Sequence, residues 1–317
     1  MAILARPQAV PRRVFGPVPS RRLGRSLGVD LTPFKTCSYD CIYCQLGRTT
    51  HKTVERREWF PLEQIVAQLP ERLTSRPDYI TLSGSGEPTL YARIGELIAR
   101  IKALTDVPVA VLTNGSLLWQ ADLRSQLWEA DLVIPSLDAG DEALFQAVNR
   151  PHEALAFARM LDGLIAFRQE FQGAYWLEVM VVAGYTGTVE QIGRLADCVQ
   201  RIQPDRIQLN TVTRPPADQE AEAVSPEQLK FFCTLFQPEA EVIADFRAVH
   251  QQAEFAASRN EVLTLLQRRP CSLADITAGL GRHENEVVKY LEELRVSGAI
   301  ELVTTAGKPF YRAIQQA

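Results

Sequence analysis

Cys37, Cys41 and Cys44 stand in "KTCSYDCIYCQLG", three of the chain's six cysteines within eight residues. The spacing is C-x3-C-x2-C. Thiolates gathered this closely suit a soft metal centre, yet three is an odd number for a site that ordinarily closes with four ligands. Two chemistries meet the count. A lone zinc needs a fourth ligand, which His51 could supply. A [4Fe–4S] cube on three cysteines leaves one iron without a protein ligand, open to a small molecule that chelates it and then receives an electron. The other cysteines, Cys198, Cys233 and Cys271, are dispersed and read as buried structural thiols. This usage does not suit a disulfide framework, and a reducing cytoplasm is the expected compartment.

The elements that must hold such a loop alternate. "SLGVDLTP" reads as a strand just ahead of the cysteines. After them come "PLEQIVAQLPERL" (helix), "DYITLSGSGEP" (strand), "RIGELIARIKAL" (helix), "VPVAVLTNG" (strand), "ADLRSQLWEA" (helix) and "DLVIPSLDAG" (strand). Helical stretches within 141–170, the strand "AYWLEVMVVAG", the helix "VEQIGRLADCVQRI" and the strand "DRIQLNTVTRPP" complete the series. Six strands separated by helices imply parallel pairing with right-handed crossovers, as a partial barrel or an open sheet. In either case the reactive edge is the C-terminal end of the strands. Each strand ends in small or polar residues, so the loops around Gly84, Gly86, Glu87, Asn114, Ser136, Asp138, Gln208 and Asn210 converge on the rim that carries the cysteines.

The 317 residues carry a net charge of −4, unevenly spread. Residues 1–58 hold eleven Lys and Arg against four Asp and Glu, whereas 59–258 hold fifteen against twenty-seven. The basic segment flanks the cysteines, where it can meet an anionic substrate or nucleic acid or pair with the acidic remainder. No run approaches 18 apolar residues, so neither a membrane span nor a signal peptide is expected. No G-x-x-x-x-G-K-[ST] occurs, which argues against an ATPase. Beyond a boundary near 250–258 the style changes. "RNEVLTLLQRRP", "SLADITAGLG" and "RHENEVVKYLEELRVSGAI" read as three helices, and "ELVTTAGKPFYRA" as a hairpin. That order is similar to a winged helix. Its third helix mixes Arg282, His283, Asn285 and Lys289 with Glu284 and Glu286. It lacks the basic face of a DNA reader, and docking of protein or substrate is the favoured role.

The cysteine stretch resembles the radical S-adenosylmethionine superfamily, whose signature is C-x3-C-x-aromatic-C, with Tyr43 at the aromatic position. The resemblance covers roughly residues 15–215 and implies a partial (β/α)6 TIM-like barrel, an α/β fold, over 1–250, followed by the winged-helix domain at 259–317. It implies a [4Fe–4S] cluster on Cys37, Cys41 and Cys44. "SGSGEP", with Gly84, Gly86 and Glu87, looks like the family's Gly-Gly-Glu element for the methionyl ammonium. Ser136 and Asp138 in "SLDA" look like its polar residues for ribose and carboxylate. Asn114 sits where the third strand reaches the same cofactor, and Arg150 is a further carboxylate partner. The implied activity is reductive cleavage of S-adenosylmethionine to a 5′-deoxyadenosyl radical, fed by an external electron donor. The substrate could be RNA, a peptide or a small molecule. "GPVPSRRLGRSLGVDL" and "YCQLG" look like the branch that includes wyosine-base synthases, although those carry further cysteines N-terminal to the motif and residues 1–36 contain none. The alternative class is an iron–sulfur redox sensor that regulates transcription through the winged helix.

Overall fold

The computed structural model describes residues 12–244, 259–280, 284–305 and 307–314. The described chain opens on a hairpin, β1 (Val14–Ser20) antiparallel to β2 (Gly24–Val29). β1 was not read from the sequence. Pro17 and Pro19 cannot donate to a ladder, and a strand with two prolines is tolerated only at a sheet edge, where β1 lies. Within the cysteine loop, β3 (Thr36–Cys37) pairs in parallel with β4 (His51–Lys52). The stretch expected as one helix is split at Pro70 into α1 (Leu62–Val66) and α2 (Leu69–Leu73), because proline is accepted in a first turn and not in an interior.

From there the alternation proceeds as the apolar pattern requires. β5 (Tyr79–Leu82), α3 (Ile94–Leu104), β6 (Val109–Thr113), α4 (Ala121–Gln126) and β7 (Leu132–Pro135) follow in order. α5 (Glu142–Leu144) runs into a π-helical turn at Phe145–Asn149 and is followed by α6 (Phe157–Glu170), β8 (Ala174–Ala183), α7 (Val189–Ile202) and β9 (Arg206–Thr211). β2, β5, β6, β7, β8 and β9 pair in parallel in that order, the expected six strands. Short β10 (Glu222–Ala223) joins β8 antiparallel, α8 (Pro226–Cys233) packs outside, and β11 (Glu241–Val242) adds a parallel edge to β9. The result is an α/β fold with a mostly parallel central sheet. Among the described residues no helix is long and apolar enough to cross a membrane.

The two faces of the sheet have different tasks. Ile80, Leu82, Val109, Val111, Val133, Tyr175 and Leu177 pack outward into the large core shared with the helices. The alternate residues Ala110, Leu132 and Ile134, with Leu112 and Trp176, form a separate apolar cluster on the other face, as the two-residue period of a strand demands. Further along that face Glu178, Gln208 and Asn210 replace the apolar residues, and their hydrogen bonds run to Arg21 and Arg22 of the β1–β2 turn. The face is thus apolar toward the strand starts and polar toward the strand ends, where the cysteine loop sits.

The C-terminal segment forms α9 (Arg259–Arg268), α10 (Leu273–Leu280), α11 (Glu284–Val296) and the hairpin β12 (Ile300–Thr305) with β13 (Lys308–Ala313). Val262, Leu266, Ile276, Val287 and Leu294 build its own apolar cluster, against which Val18 of β1 packs. Arg268 crosses to the strand ends. It pairs with Asp30, donates to Ser85 Oγ at 2.9 Å and lies over the Phe15 ring. Arg282 and His283 lie outside the described residues, as does the expected boundary at 250–258.

Candidate metal and cofactor centre

The cysteine loop follows β2 and is clamped by the loop that follows β5. Lys35 N donates to Ser85 O at 2.7 Å, and Glu87 N donates to Thr36 O at 3.1 Å. Gly86 lies where this clamp is tightest: a Cβ there would stand 1.8 Å from Thr36 O and 2.7 Å from Thr32 Oγ1. Gly84 packs on Asp30, whose carboxylate accepts from Ser85 N at 2.9 Å and Ser85 Oγ at 2.6 Å. The "SGSGEP" stretch therefore fixes the metal-loop backbone by close approach, which larger residues would prevent.

Each cysteine sulfur meets a nitrogen donor. Cys37 Sγ has Asn114 Nδ2 at 3.6 Å and Tyr39 N at 3.5 Å. Cys41 Sγ has Asn149 Nδ2 at 3.5 Å, and Cys44 Sγ has the Lys35 ammonium at 3.1 Å. Lys35 is buried and holds a left-handed backbone, φ 55°, a conformation rarely kept by a side-chain-bearing residue unless its surroundings enforce it. Burial pushes the Cys37 thiol up to about 12, with Glu87 adding to the shift, and pushes Cys41 well above the usual thiol range. Thiolates at Cys37 and Cys41 would therefore need compensating positive charge, of the kind a metal centre supplies. N–H donors to sulfur are also the usual means by which a protein tunes a cluster.

The donor set fits a cube. Among the described residues no three His, Cys, Asp or Glu side chains gather around a single ion, whereas a cube gives each thiolate its own iron. His51, the zinc alternative's fourth ligand, turns its ring edge-on to Trp59 at 5.6 Å.

Hydrogen bonds bring the remaining candidates to this loop. Glu87 is buried; Oε1 accepts from Thr89 N, Thr89 Oγ1 and Thr113 Oγ1, and Oε2 accepts from Asn114 N at 2.7 Å. It ties the end of β5 to the end of β6 and so sets Asn114, whose amide reaches both Cys37 and Ser38 Oγ. Asp138 accepts from the Tyr43 hydroxyl, from Asn149 Nδ2 at 2.8 Å and from Met180 N at 3.0 Å. Through Tyr43 and Asn149 it orients two parts of the metal loop from the end of β7. Ser136 stands at the same strand end, in bridge register with Glu178. Arg150 is adjacent to Asn149, but its guanidinium pairs with Asp218 at 3.0 Å, beside Arg48. Sequence reasoning missed Lys35, Ser38, Asp30 and Asn149. Lys35 and Ser38 flank the first cysteine and Asn149 precedes Arg150, yet no spacing rule marks them.

Asp138 gives the site a measurable pH signature. Burial pushes its carboxyl up to about 6, against the hydrogen bonds from Tyr43, Met180 and Asn149. Between the ordinary aspartate value and 6 the native state holds a proton that the unfolded chain has released. Asp138's contribution to stability is therefore full at the acid end and is lost as pH rises through 6. The amount is about 3 kcal/mol. Urea midpoints of cluster-free wild type and Asp138→Asn from pH 4 to pH 7 check it: the difference must move in the variant's favour as pH rises.

Beside Tyr43, Cys44 and Gly84 opens a cavity of about 360 Å³, bounded by the β1–β2 turn, the ends of β8 and β9, and α9. Arg22 and Glu178 meet across it at 2.7 Å. Burial would raise the Glu178 carboxyl, but Arg22 and Asn210 hold it below the usual range. The neighbouring Arg25 turns its guanidinium elsewhere, to Ser75 O at 2.5 Å, while its backbone N donates to Asp78 Oδ2 at 2.7 Å.

The sequence model of the radical SAM superfamily matches residues 31–198. The chain is 39% identical over 294 residues to a protein of Brachyspira hyodysenteriae named GTPase Obg, covering 91% of this chain and 43% of that one. It thus spans less than half of that relative. It is 34% identical to a UPF0026 protein of Helicobacter pylori J99, covering 95% of this chain and 97% of the other. A crystal structure of a radical SAM methyltransferase from Sphaerobacter thermophilus superposes with a TM-score of 0.52 at 17% identity, covering 68% of this chain and 65% of that one. This last likeness is one of fold. The chain belongs to the radical SAM superfamily, whose members are enzymes that use a [4Fe–4S] cluster and S-adenosylmethionine.

Proposed function

We propose that Cys37, Cys41 and Cys44 ligate three irons of the cluster. S-adenosylmethionine then lies beside it, within reach of Tyr43, Gly84, Gly86, Glu87, Asn114, Ser136, Asp138 and Arg150. Bound there, cluster and cofactor supply a one-electron cleavage of a carbon–sulfur bond and a radical able to take hydrogen from an unactivated carbon. The chain's own residues do the rest. Glu87 and Asp138 lock the loop from two strand ends, the N–H donors steady the sulfurs, and the cavity keeps the substrate apart from bulk water.

The observation that carries this reading is the clamp itself. Three thiols share one loop, each facing a nitrogen donor, and that loop is pinned at the strand ends beside a cavity of mixed polar and apolar lining. A redox sensor needs no such cavity, and nothing in the comparisons favours one. The Brachyspira relative's GTPase name is not carried over, since no phosphate-binding G-x-x-x-x-G-K-[ST] occurs here. In our reading residues 259–317 are a winged-helix domain that borders the barrel mouth through Leu265, Arg268 and Arg269 and serves substrate binding. The wyosine-like branch resemblance supports the shared machinery; with no cysteine in residues 1–36, the wyosine reaction itself is not transferred. An external donor supplies the electron, and the cytoplasm is the proposed compartment.

Anaerobic protein, reconstituted with iron and sulfide and given S-adenosylmethionine and dithionite, is expected to release methionine and 5′-deoxyadenosine in equal amounts. A reducible cluster that yields neither product overturns the reading.

A further inference from the structure

Arg268 closes α9, yet the partners of its guanidinium lie outside the C-terminal unit. It pairs with the Asp30 carboxylate and donates to Ser85 Oγ at 2.9 Å and to Arg12 O at 3.3 Å, with its plane over the Phe15 ring. Asp30 directly follows β2, at the entry to the metal loop, and only 1% of it is exposed. A carboxylate at that depth is tolerated when both charge and hydrogen bonds meet it. Ser85 supplies the hydrogen bonds, from N at 2.9 Å and from Oγ at 2.6 Å. Arg268 supplies the charge.

Ser85 is thereby held on each of its polar groups. Arginine has donors and no acceptor, so the hydroxyl must accept from Arg268 and give its proton to Asp30. The carbonyl accepts from Lys35 N at 2.7 Å, two residues before Cys37. The next residue, Gly86, stands against Thr36 O, and Glu87 N donates to that same oxygen at 3.1 Å. A turn of Ser85 therefore reaches both sides of the clamp on the metal loop. Adhesion of the C-terminal unit alone would be served as well by apolar contacts, because a buried ion pair is a weak source of net stability. What the pair adds is direction, since it fixes where Ser85 points.

We infer that Arg268 is a positioning residue for the metal loop, and that the C-terminal unit is through it an integral part of the metal and cofactor centre. The inference rests on the assignment of the cluster to Cys37, Cys41 and Cys44, and adds how their loop is held. The chain of contacts runs from α9 through Arg268 to Asp30 and Ser85, and through the Ser85 carbonyl to Lys35. Without the guanidinium, Asp30 keeps a buried charge that Ser85 alone must meet. The carboxylate then turns toward water, Ser85 turns with it, and Lys35 N loses its acceptor. The loop around Gly84 and Gly86, placed beside the cofactor above, moves in the same step.

Hydrogen exchange in the cluster-free full chain reads this junction directly. Arg268→Met is expected to speed exchange of the Lys35 and Glu87 amides by about tenfold or more. Arg312→Met, which removes a guanidinium from the hairpin of the same unit, should leave both at the wild-type rate. Asp30→Asn in the Arg268→Met background should restore slow exchange, because a neutral amide needs no cation and its oxygen still accepts from Ser85. Anaerobic reconstitution gives the second readout. Arg268→Met should bind iron about tenfold more weakly and show an altered electron paramagnetic resonance spectrum of the reduced cluster, and the double variant should return both toward wild type. Where Arg268→Met does not fold, Arg268→Lys and the double variant decide: slow exchange in both supports the pair, and a double variant that also fails to fold overturns it. Wild-type exchange in Arg268→Met, faster exchange with wild-type iron affinity and spectrum, or no recovery in the double variant overturns the proposal. A wild type that shows the exchange response and takes up no iron defeats the cluster assignment and leaves the junction. A wild type that holds its cluster, with no exchange response in Arg268→Met, does the opposite.

Discussion

Cys41→Ala is expected to purify with iron and sulfide at background, and so are Cys37→Ala and Cys44→Ala. Each removes one of three thiolates, and no other cysteine is near enough to substitute. Cys198 sits on α7 with Gly140 O at 3.8 Å, Cys233 ends α8 and faces the core, and Cys271 is fully buried in the C-terminal cluster. Cys198 and Cys233 lie in the large apolar core and Cys271 in the separate C-terminal one, and among the described residues no three His, Cys, Asp or Glu side chains gather to hold a metal ion. Their alanine variants should keep about four irons per chain, the content of one cube, and lose about 1 kcal/mol for a small buried side chain. Cys41 has a further consequence, because Asn149 donates both to its sulfur and to Asp138. Removing the sulfur leaves that amide half-satisfied and loosens Tyr43's anchor. Colorimetric iron and sulfide per chain decide the matter. Full iron in Cys41→Ala, or iron loss in Cys271→Ala, sinks the assignment.

How much of this was legible in the sequence depends on the distance over which the signal acts. The six parallel strands could be read because "YITL", "VAVLT" and "LVIP" are apolar runs covered on both faces, and the intervening helices repeat at their own period. The cysteines could be read because their chemistry is local. β1 escaped because its prolines imitate a loop, and the single helix expected across Pro70 failed because the break lies in one residue. The site's second layer escaped for a different reason. Asn149 meets Cys41 across 108 residues, and Arg268 meets Ser85 across 183; nothing in either neighbourhood announces the partner. Arg21 and Arg22 were legible as a pair of charges, but only the fold turns them inward onto Asn210 and Glu178, and turns the equally basic Arg25 away. The same holds for the C-terminal unit. Its helices and hairpin follow from periodicity, while its placement of Arg268 and Arg269 at the cavity is a property of packing alone.

Gly86→Ala is expected to cost more than a methyl added at the other glycines of the metal loop and of the loop that clamps it, Gly84 and Gly47. The reason is space. Its Cβ would lie 1.8 Å from Thr36 O and 2.8 Å from Thr36 C, both backbone atoms. Relief requires the two loops to part by more than 1 Å, a distance that follows from ordinary van der Waals contact. Parting them breaks the bonds Lys35 N to Ser85 O and Glu87 N to Thr36 O, at about 1 kcal/mol each, with overpacking adding about 1–3 kcal/mol. The shift acts on Thr36 and hence on Cys37, its neighbour, so iron retention should fall together with stability. Two other glycines calibrate the effect. In Gly84→Ala the methyl would meet a side-chain oxygen of Asp30 at 2.5 Å, which can move at the expense of its bonds to Ser85. In Gly47→Ala nothing lies within 4 Å, and only the positive φ of 84° is strained, a penalty of about 1 kcal/mol. The order of iron loss and of urea-midpoint shift should be Gly86, then Gly84, then Gly47. A Gly86→Ala protein that holds a full cluster at wild-type stability would mean that the clamp between the two loops does not position the cysteines, and the account of the site would have to begin elsewhere.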